Sequence, residues 1–398
     1  MITMPQEQAT MGAVMSACRP KRVADRGSMI GNYPKHATAG NGVGKLLAGL
    51  CGIAGVMLAG GPALAGSKHP ILPLQVQSSV STPTPEGNPY GLAAVPSDFP
   101  KNGTIKAGDL LVANFNNSAG QQGLGTTIDF INPANGNTGL FFQVSGSQTT
   151  GFTNALGVSK NGFIFAGTVL TTDGTDGTAA PGNLYIINKD GHVVTTIAPN
   201  TDLINGPWGL AINDQDDSAQ VFVSNVFDGT VTRLDISFKG GVTIEKSTTI
   251  ASGYTVALSV GAIVIGPAGL FYDPKKDVLY VSAENDNEIF ALSNASKLTA
   301  SGGKGTLIFS DAALNGPLGL VRASNGNLIT VNADAINGSP AVPSDVIEFT
   351  VGGTLVRQFS LDPNPGSGFA LVSLENEFAY VDDFTSNVTI WKLSSAND

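Results

Sequence analysis

The sequence predicts an all-β protein built from a four-stranded unit that is repeated six times. Three observations predict it: the composition, a recurring first strand, and a series of short strands after each copy of it. Of the 398 residues, 50 are glycine and 22 are proline, and only 13% are charged. This composition is typical of β proteins with many tight turns.

A motif of the form Pro-x-Gly-Leu opens most of the units, and GPWGLAI (206–212) is its clearest copy. The Gly position is aligned at Gly91, Gly157, Gly209, Gly269, Gly319 and Ala370. The spacings between these residues are 66, 52, 60, 50 and 51. Self-similarity at a period of about 50 residues, with the excess in polar insertions, indicates a repeat architecture.

Each unit continues with further short β-branched and aromatic runs, bounded by Gly, Asn, Asp and Pro. Four-stranded antiparallel units that repeat around a ring are the blades of a β-propeller, and the ring buries both faces of every sheet. A stack of solenoid turns is the alternative, and the four-strand meander disfavours it. We therefore predict a six-bladed β-propeller over residues 88–398.

The sixth unit shows only three strands in the sequence. The N-terminal segment 66–87 contains one strand-like run, ILPLQV at 71–76. We predict that this run pairs with the last blade and closes the ring, because closure removes a free sheet edge.

Residues 1–65 have the pattern of a leader segment. An apolar run at 46–65 follows Lys45 and ends in Ala63-Leu64-Ala65, which is typical of a signal-peptidase site. We predict cleavage after Ala65, with Met1 or Met29 as the start, and an exported protein that is periplasmic or extracellular. The alternative is a membrane anchor, since the run approaches the length needed to span a bilayer.

Charge and cysteine content exclude several classes of partner. Both cysteines, Cys18 and Cys51, precede residue 66, so no thiolate chemistry is available beyond it. From Gly66 onward there are 15 Lys and Arg against 29 Asp and Glu, a net charge of −14. This balance argues against nucleic acid and against an anionic membrane surface. We expect a monomer that binds a small molecule, a glycan or a protein.

The repeat predicts a first ring of side chains at the x position of Pro-x-Gly. Three of its members, Tyr90, Trp208 and Phe369, are aromatic. We predict that they floor a ligand pocket at the channel mouth, where they can stack on a sugar or another flat ligand. The alternative is core packing. The complete ring is Tyr90, Leu156, Trp208, Ala268, Leu318 and Phe369.

A second ring falls at the end of the second strand of each unit, and four members carry an amide or carboxylate oxygen. Such oxygens suit Ca²⁺ or another divalent cation if they meet at the axis. The alternative is turn capping, a common role of Asn and Asp at strand ends. The candidate metal ligands are Asn114, Asn225, Asn332 and Asp383, with Asp382, Glu284 and Asp334 next to the ring.

These motifs resemble those of NHL-repeat propellers and of the wider gluconolactonase-like superfamily. The segments that carry the resemblance are GPWGLA…VFVSN, GPAGLF…LYVSAEND, GPLGLV…LITVNAD and FALVS…AYVDD. The resemblance covers about residues 88–394. It implies a divalent ion at the channel mouth, held by Asn225, Asn332 and Asp383, and an Asp that acts in lactone hydrolysis. Glu86 would match the family's N-terminal Glu, but it stands one residue too far from the motif.

Two hypotheses of function follow. His69 and His192 are the only histidines after residue 65, and no G-x-S-x-G motif occurs, which disfavours a Ser-His-Asp site. The first hypothesis is therefore an exported binding or scaffold module without catalytic activity. The second is a metal-dependent hydrolase of the lactonase type, with Asp383 as the candidate catalytic residue.

Overall fold

The computed structural model describes residues 68–72, 75–145, 150–199, 203–333, 344–362, 364, 367–374 and 377–392. The predicted leader and Asp334 lie outside these ranges. The described residues form a six-bladed β-propeller of four-stranded antiparallel blades, as the sequence predicts. Within them, the only helical segment is one turn of 3₁₀ helix at Asp176–Thr178, and no helix has the length and apolarity to cross a membrane.

The first three blades follow one another along the chain, after a short N-terminal strand β1 (Gln75–Ser81). Blade 1 contains β2 (Gly87–Ala94), β3 (Leu110–Asn116), β4 (Thr127–Ile131) and β5 (Thr138–Gln143). Blade 2 contains β6 (Thr150–Ser159), β7 (Phe163–Leu170), β8 (Ala180–Asn188) and β9 (Val193–Ile197). Blade 3 contains β10 (Pro207–Asp214), β11 (Ser218–Asn225), β12 (Thr230–Ser237) and β13 (Thr243–Ser252).

A separate two-stranded hairpin precedes the last three blades, and consists of β14 (Ala257–Ser259) and β15 (Ile263–Ile265). Blade 4 contains β16 (Pro267–Asp273), β17 (Val278–Ala283), β18 (Glu288–Ser293) and β19 (Thr306–Phe309). Blade 5 contains β20 (Pro317–Arg322), β21 (Leu328–Asn332), β22 (Ser344–Phe349) and β23 (Leu355–Asp362). Blade 6 contains β24 (Gly368–Ser373), β25 (Glu377–Asp382) and β26 (Asn387–Lys392).

The fourth strand of blade 6 is β1, which pairs antiparallel with β26 from Gln75–Lys392 to Ser81–Asn387. The prediction of a closing strand from the N-terminal segment is thus confirmed, but its position at 71–76 was wrong. Ile71 and Leu72 are buried in the cluster that contains Trp391, and their backbone N–H groups donate to Glu348 Oε2. Ile71 and Leu72 therefore pack into the apolar cluster between blades 5 and 6. The outermost strand β1 depends mainly on backbone pairing and is rich in serine.

Apolar clusters fill the spaces between blades, because the side chains of a radial sheet project towards its two neighbours. Separate clusters join blades 1 and 2, 2 and 3, 3 and 4, 4 and 5, and 5 and 6. The cluster between blades 6 and 1 continues onto the propeller axis, where it includes Tyr90, Trp208 and Phe369. The hairpin β14–β15 packs onto this axial cluster through Ile263 and Val264.

Glycine in the Pro-x-Gly-Leu motif allows neighbouring inner strands to approach each other closely. A Cβ on Gly209 would lie 1.8 Å from the carbonyl oxygen of Ala268, and one on Gly269 would lie 1.9 Å from that of Leu318. Neither distance is possible for a real side chain. The repeated glycine is therefore a packing requirement of a narrow central channel.

Candidate functional site

One leucine from each blade occupies the same register position on the inner strand. Each leucine pairs with a residue of the second strand of its own blade. For example, Leu92 pairs with Val112, and Leu210 pairs with Val223. All six line the central channel, and we call them the leucine ring. Its members are Leu92, Leu156, Leu210, Leu270, Leu320 and Leu371.

The register corrects the sequence alignment of blade 2. Leu156, aligned above with Trp208, pairs with Ala166 and takes the place of Leu210, so Gly157 lies one position beyond the glycines of the other blades. The bulge between Phe152 and Leu156 contains three residues, whereas two residues separate Pro207 from Leu210. Blade 2 thus carries one extra residue on the channel side.

A cavity of about 330 Å³ lies on one side of the leucine ring. Besides the ring, it is lined by residues from the C-terminal ends of the inner strands, such as Ala94, Ile212 and Ser373. Ser373 is exposed and Ala94 and Ile212 are half-buried, so the cavity is reached from solvent at this end. We call this the lower end of the channel, and the opposite end, where the inner strands begin, the upper end.

Two ionisable side chains line the lower cavity, and both have hydrogen-bond partners. Asp214 accepts from the Ser159 hydroxyl and from the Lys160 backbone N–H at 3.0 Å. The Tyr272 hydroxyl donates to Asp277 Oδ1 at 3.0 Å. Burial, followed by the hydrogen bond to Asp277, raises the pKa of Tyr272 to about 12. The phenol is therefore neutral at physiological pH.

The three predicted ligand-binding aromatics meet at the upper end and are fully buried there. The Tyr90 ring lies 4.5 Å from that of Phe369 and 5.9 Å from that of Trp208, and Phe115 stacks on Tyr90 at 4.9 Å. Tyr90, Trp208 and Phe369 are 2%, 0% and 1% exposed. The three rings lie together, as the repeat predicts, and they close the upper end of the channel as an axial plug. Their role in ligand binding stays a prediction, which would require the plug to open.

The predicted amide ligands are each hydrogen-bonded within their own blade. Asn225 donates to the hydroxyls of Thr230 and Thr232 at 3.0 Å and accepts from the Asn205 backbone N–H. Asn332 accepts from the Asn315 backbone N–H at 2.9 Å and donates to the Ala313 carbonyl. These contacts have the pattern of turn capping, the alternative that the sequence left open.

Asn114 differs from the other two amides. Its Nδ2 donates to Asp129 Oδ2 at 3.0 Å and to the Thr127 hydroxyl at 2.9 Å, while its buried Oδ1 has no partner within the described part of the chain. Burial raises the pKa of Asp129, against the lowering effect of hydrogen bonds from Thr84 and Asn114. Glu86 lies near this cluster and accepts from the hydroxyl and backbone N–H groups of Thr126 and Thr127.

Asp383 is not in register with the three amides, so that part of the alignment was wrong. Gly368 pairs with Asp382, as Pro207 pairs with Asn225 and Pro317 with Asn332. Asp383 lies one position further on. There its backbone N–H donates to the Ser367 carbonyl.

The position of Asp383 is equivalent to those of Glu284, Val226 and Ala333, whose backbone N–H groups make the same contact one strand inward. Val226 and Ala333 belong to the axial cluster, so this position faces the upper channel. Glu284 is fully buried. Burial, and secondarily the charge of Asp382, raises the pKa of Asp383 to about 6. Two acidic residues, Glu284 and Asp383, thus occupy one register position at the upper end.

Among the residues that the structure describes, no group of three or more His, Cys, Asp or Glu side chains is arranged to hold a metal ion. The proposed divalent-cation ligands Asn114, Asn225, Asn332 and Asp383 lie in four different blades, and the metal site stays a prediction.

The leucine ring and the lower cavity were not predicted from the sequence. The signal was present, because Leu follows the motif glycine in four of the six copies and follows Ala370 in the last. Leucine at such a position is the expected choice for a core, so nothing in its chemistry separates a channel lining from ordinary packing.

Comparison with known proteins identifies no family. No protein-family model matches the chain, and no curated protein matches it. Among solved structures, 426 chains match. The described strand pairing alone shows the β-propeller, and membership of the NHL or gluconolactonase-like group is not confirmed.

Three of the matching structures illustrate the range. A protein of unknown function from Bacteroides caccae is 14% identical, with a TM-score of 0.43, and the match covers 65% of this chain and 79% of that one. Inactive virginiamycin B lyase from Staphylococcus aureus with quinupristin is 12% identical, with a TM-score of 0.47 and coverages of 81% and 100%. The Cps50 (Swd1) propeller domain of Myceliophteria thermophila is 12% identical, with a TM-score of 0.46 and coverages of 81% and 100%. At these values the likeness says nothing about activity.

Proposed function

We propose that the protein is an exported binding module that takes a small, largely apolar ligand into the lower end of its central channel. The observation that carries the proposal is the solvent-accessible cavity of about 330 Å³, which is lined by leucines from all six blades. Its volume falls within the range of small-molecule sites, about 300–1,000 Å³. Export is supported by the leader pattern that ends at Ala65.

The lining favours hydrocarbon over a polar or flat ligand. Five of the six ring leucines are buried and Leu210 is half-buried, and the ring offers a ligand one aliphatic side chain from each blade. Each methylene that leaves water for such a surface contributes about 0.8 kcal/mol. A ligand without a hydrocarbon portion gains little there.

The polar groups of the cavity favour binding over reaction. Asp214 is held by Ser159 and Lys160, and Tyr272 is kept protonated at neutral pH. These contacts fix the side chains at the rim and leave the ring leucines to make the ligand contacts.

A series of straight-chain alkanols from butanol to decanol tests this proposal by isothermal titration calorimetry. We expect affinity to rise by about 0.8 kcal/mol per methylene until the cavity is full, and then to level off. Leu210→Trp places a larger side chain in the channel and should abolish binding. Leu307→Trp, on the outer strand β19 and 48% exposed, is the matched control and should bind as the wild type does.

Two results would contradict the proposal. One is the absence of binding across the whole series. The other is a Leu210→Trp variant that is folded and binds the alkanols unchanged.

A second candidate function is a divalent-metal-dependent hydrolase of the gluconolactonase type. The specific observation in its favour is the pair Glu284 and Asp383, two buried or half-buried carboxyl groups at one register position of the upper channel. Carboxylate oxygens suit Ca²⁺, Mg²⁺ or Mn²⁺. This function requires access to the upper channel, which the aromatic plug closes.

The two candidates are separated by metal analysis and by melting temperature with and without Ca²⁺. The hydrolase predicts a bound ion, a Ca²⁺-dependent rise in melting temperature that Asp383→Asn removes, and hydrolysis of an aldonolactone. Asp173→Asn, in an exposed loop, is the control. The absence of both a bound ion and a Ca²⁺-dependent rise in melting temperature would contradict the hydrolase and favour the binding module.

A further inference from the structure

We propose that Asn154 anchors the head group of the channel ligand, and that the ligand is a neutral, unbranched amphiphile that enters head first. Its head both donates and accepts hydrogen bonds, as a primary amide or an alcohol does. This inference rests on the proposed binding function, and identifies the chemical class of ligand that the same site would take.

A second, smaller cavity lies beyond the leucine ring and has a volume of about 40 Å³. The ring leucines line both cavities. The larger one continues towards Ala94 and Ile212, after the ring in sequence, and the smaller one towards Gly269 and Gly319, before it. The ring therefore lies between a wide lower compartment and a narrow inner one.

Among the described residues that line the inner compartment, Asn154 has the only polar side chain, and the others are leucines and glycines. It is the middle residue of the blade 2 bulge, which is one residue longer than the bulges of the other five blades. The extra residue places a side-chain amide among the leucine and glycine residues that line this compartment.

The bulge is fixed by its neighbour and not by Asn154 itself. The Thr153 hydroxyl donates to the Pro207 carbonyl of blade 3 at 2.7 Å and also accepts from the Ala155 backbone N–H. Within the described ranges, the half-buried Asn154 side chain makes no hydrogen bond. A side-chain amide has two N–H donors and an acceptor oxygen, so this one is available to a ligand.

The size and polarity of the inner compartment select the head group. A volume of about 40 Å³ admits one water or a group of very few heavy atoms. A charged head would lose its hydration without gaining an opposite charge, since no described lining residue of this compartment is charged. A neutral amide or hydroxyl meets Asn154 with a matched pair of hydrogen bonds, while its chain passes the leucine ring into the lower compartment.

The test compares hexanamide with 2-methyl-1-heptene, which has the same shape and no hydrogen-bonding group, by titration of the wild type and of Asn154→Leu. We expect hexanamide to bind Asn154→Leu roughly tenfold or more weakly than the wild type, the loss expected of one or two neutral hydrogen bonds. The alkene should bind both proteins within about twofold. Asn137→Leu makes the same substitution at an exposed position of blade 1 outside the channel, and is the control, with both affinities unchanged.

A third variant guards against a merely structural effect of the substitution. Asn154→Asp keeps the size and the acceptor, and adds a negative charge. It should acquire binding of hexylammonium, which the wild type should reject.

The outcomes separate this inference from the function on which it rests. If both ligands bind the wild type and Asn154→Leu weakens both equally or neither, Asn154 is not the anchor, and the binding function stands. If neither ligand binds the wild type, both proposals are overturned. A loss confined to hexanamide supports both.

Discussion

The two ends of the central channel are built from the same repeat, yet one is closed and the other is open. At the upper end Tyr90, Trp208 and Phe369 meet in ring-to-ring contact and are at most 2% exposed. At the lower end the inner strands finish around a cavity of about 330 Å³, with Ser373 at its exposed rim.

The difference between the two ends comes from the residues before and after the glycine of the repeated Pro-x-Gly-Leu motif. The residue before it varies between blades, and three bulky aromatics from blades 1, 3 and 6 fill the axis. The residue after it is leucine in every blade in which the glycine is present in register. Six equal side chains of moderate size surround the axis without filling it. The varied residues before the glycine therefore close the upper end, and the uniform leucines after it leave the lower end open.

The largest effect should come from opening the closed ring of six blades. This change would remove the difference between the two ends of the channel. Deleting residues up to Ser81 removes β1, its pairing with β26, and the buried Ile71 and Leu72. We expect the melting temperature to fall by more than about 10 °C, since several kcal/mol of packing and pairing are lost. A chain that begins at Lys68 is the control and should melt as the full protein does. An unchanged melting temperature in the longer deletion would show that the ring closes without β1.

Truncation of one side chain on each side of the glycine should then show which end supports the fold. Trp208 is fully buried, so we expect Trp208→Ala to lower the free energy of unfolding by about 3–5 kcal/mol. Leu210 is half-buried and borders the cavity, so Leu210→Ala should cost less than half as much. Urea denaturation of the two variants measures both values. Equal losses would argue against a plugged upper end and a hollow lower one.

Adding a methyl group at the glycine tests the close approach of the inner strands. A Cβ at position 209 would lie 1.8 Å from the Ala268 carbonyl oxygen. We expect Gly209→Ala to cost roughly 2–3 kcal/mol, because blades 3 and 4 must move apart. Gly240→Ala, in a solvent-facing turn where nothing lies within 4 Å but φ is +75°, controls for the backbone and should cost about 1 kcal/mol. A smaller loss at Gly209 than at Gly240 would contradict the packing account.

The smallest effect concerns pH and the upper end. The fold raises the pKa of Asp383 to about 6 from a usual value of 3.8, so it favours the protonated form. The stabilisation is complete below about pH 4 and is lost as the pH rises through 6. In EDTA, Asp383→Asn should therefore stabilise the protein by about 1–2 kcal/mol at pH 7.5 and by almost nothing at pH 4.

Thermal unfolding of the wild type and of Asp383→Asn at the two pH values checks this prediction. Destabilisation by Asp383→Asn at pH 7.5 in EDTA would mean that a protein group stabilises the ionised carboxylate, and would contradict the raised pKa of Asp383.

Most of the fold was predictable from the sequence because blades are defined by local signals. Gly-Pro turns and short β-branched runs locate the inner and second strands of all six blades to within a few residues. The hairpin β14–β15 was missed, since it lies in an insertion that the repeat does not constrain. The closing strand was placed too early because Ile71 and Leu72 are the apolar residues, whereas an outer strand is selected by backbone pairing.

The candidate site was less predictable because it depends on register within each blade. The tandem acids Asp382 and Asp383 give no sequence signal for which one pairs with Gly368. In blade 2 the extra bulge residue shifts the alignment by one, and so hid both the role of Leu156 and the channel position of Asn154. The aromatic and amide rings attracted attention by their chemistry, but the amides of Asn225 and Asn332 are spent on turns within their own blades.

A crystal structure of the protein soaked with a bromine-tagged alkanamide tests the central claim most directly. The claim is that the lower channel is an accessible apolar site and that the upper end is closed. The account predicts an anomalous bromine peak in the lower compartment, among Ala94, Ile212 and the leucine ring, with the amide at Asn154. A bromine peak among Tyr90, Trp208 and Phe369, or a lower channel that stays empty at saturating ligand, would contradict it.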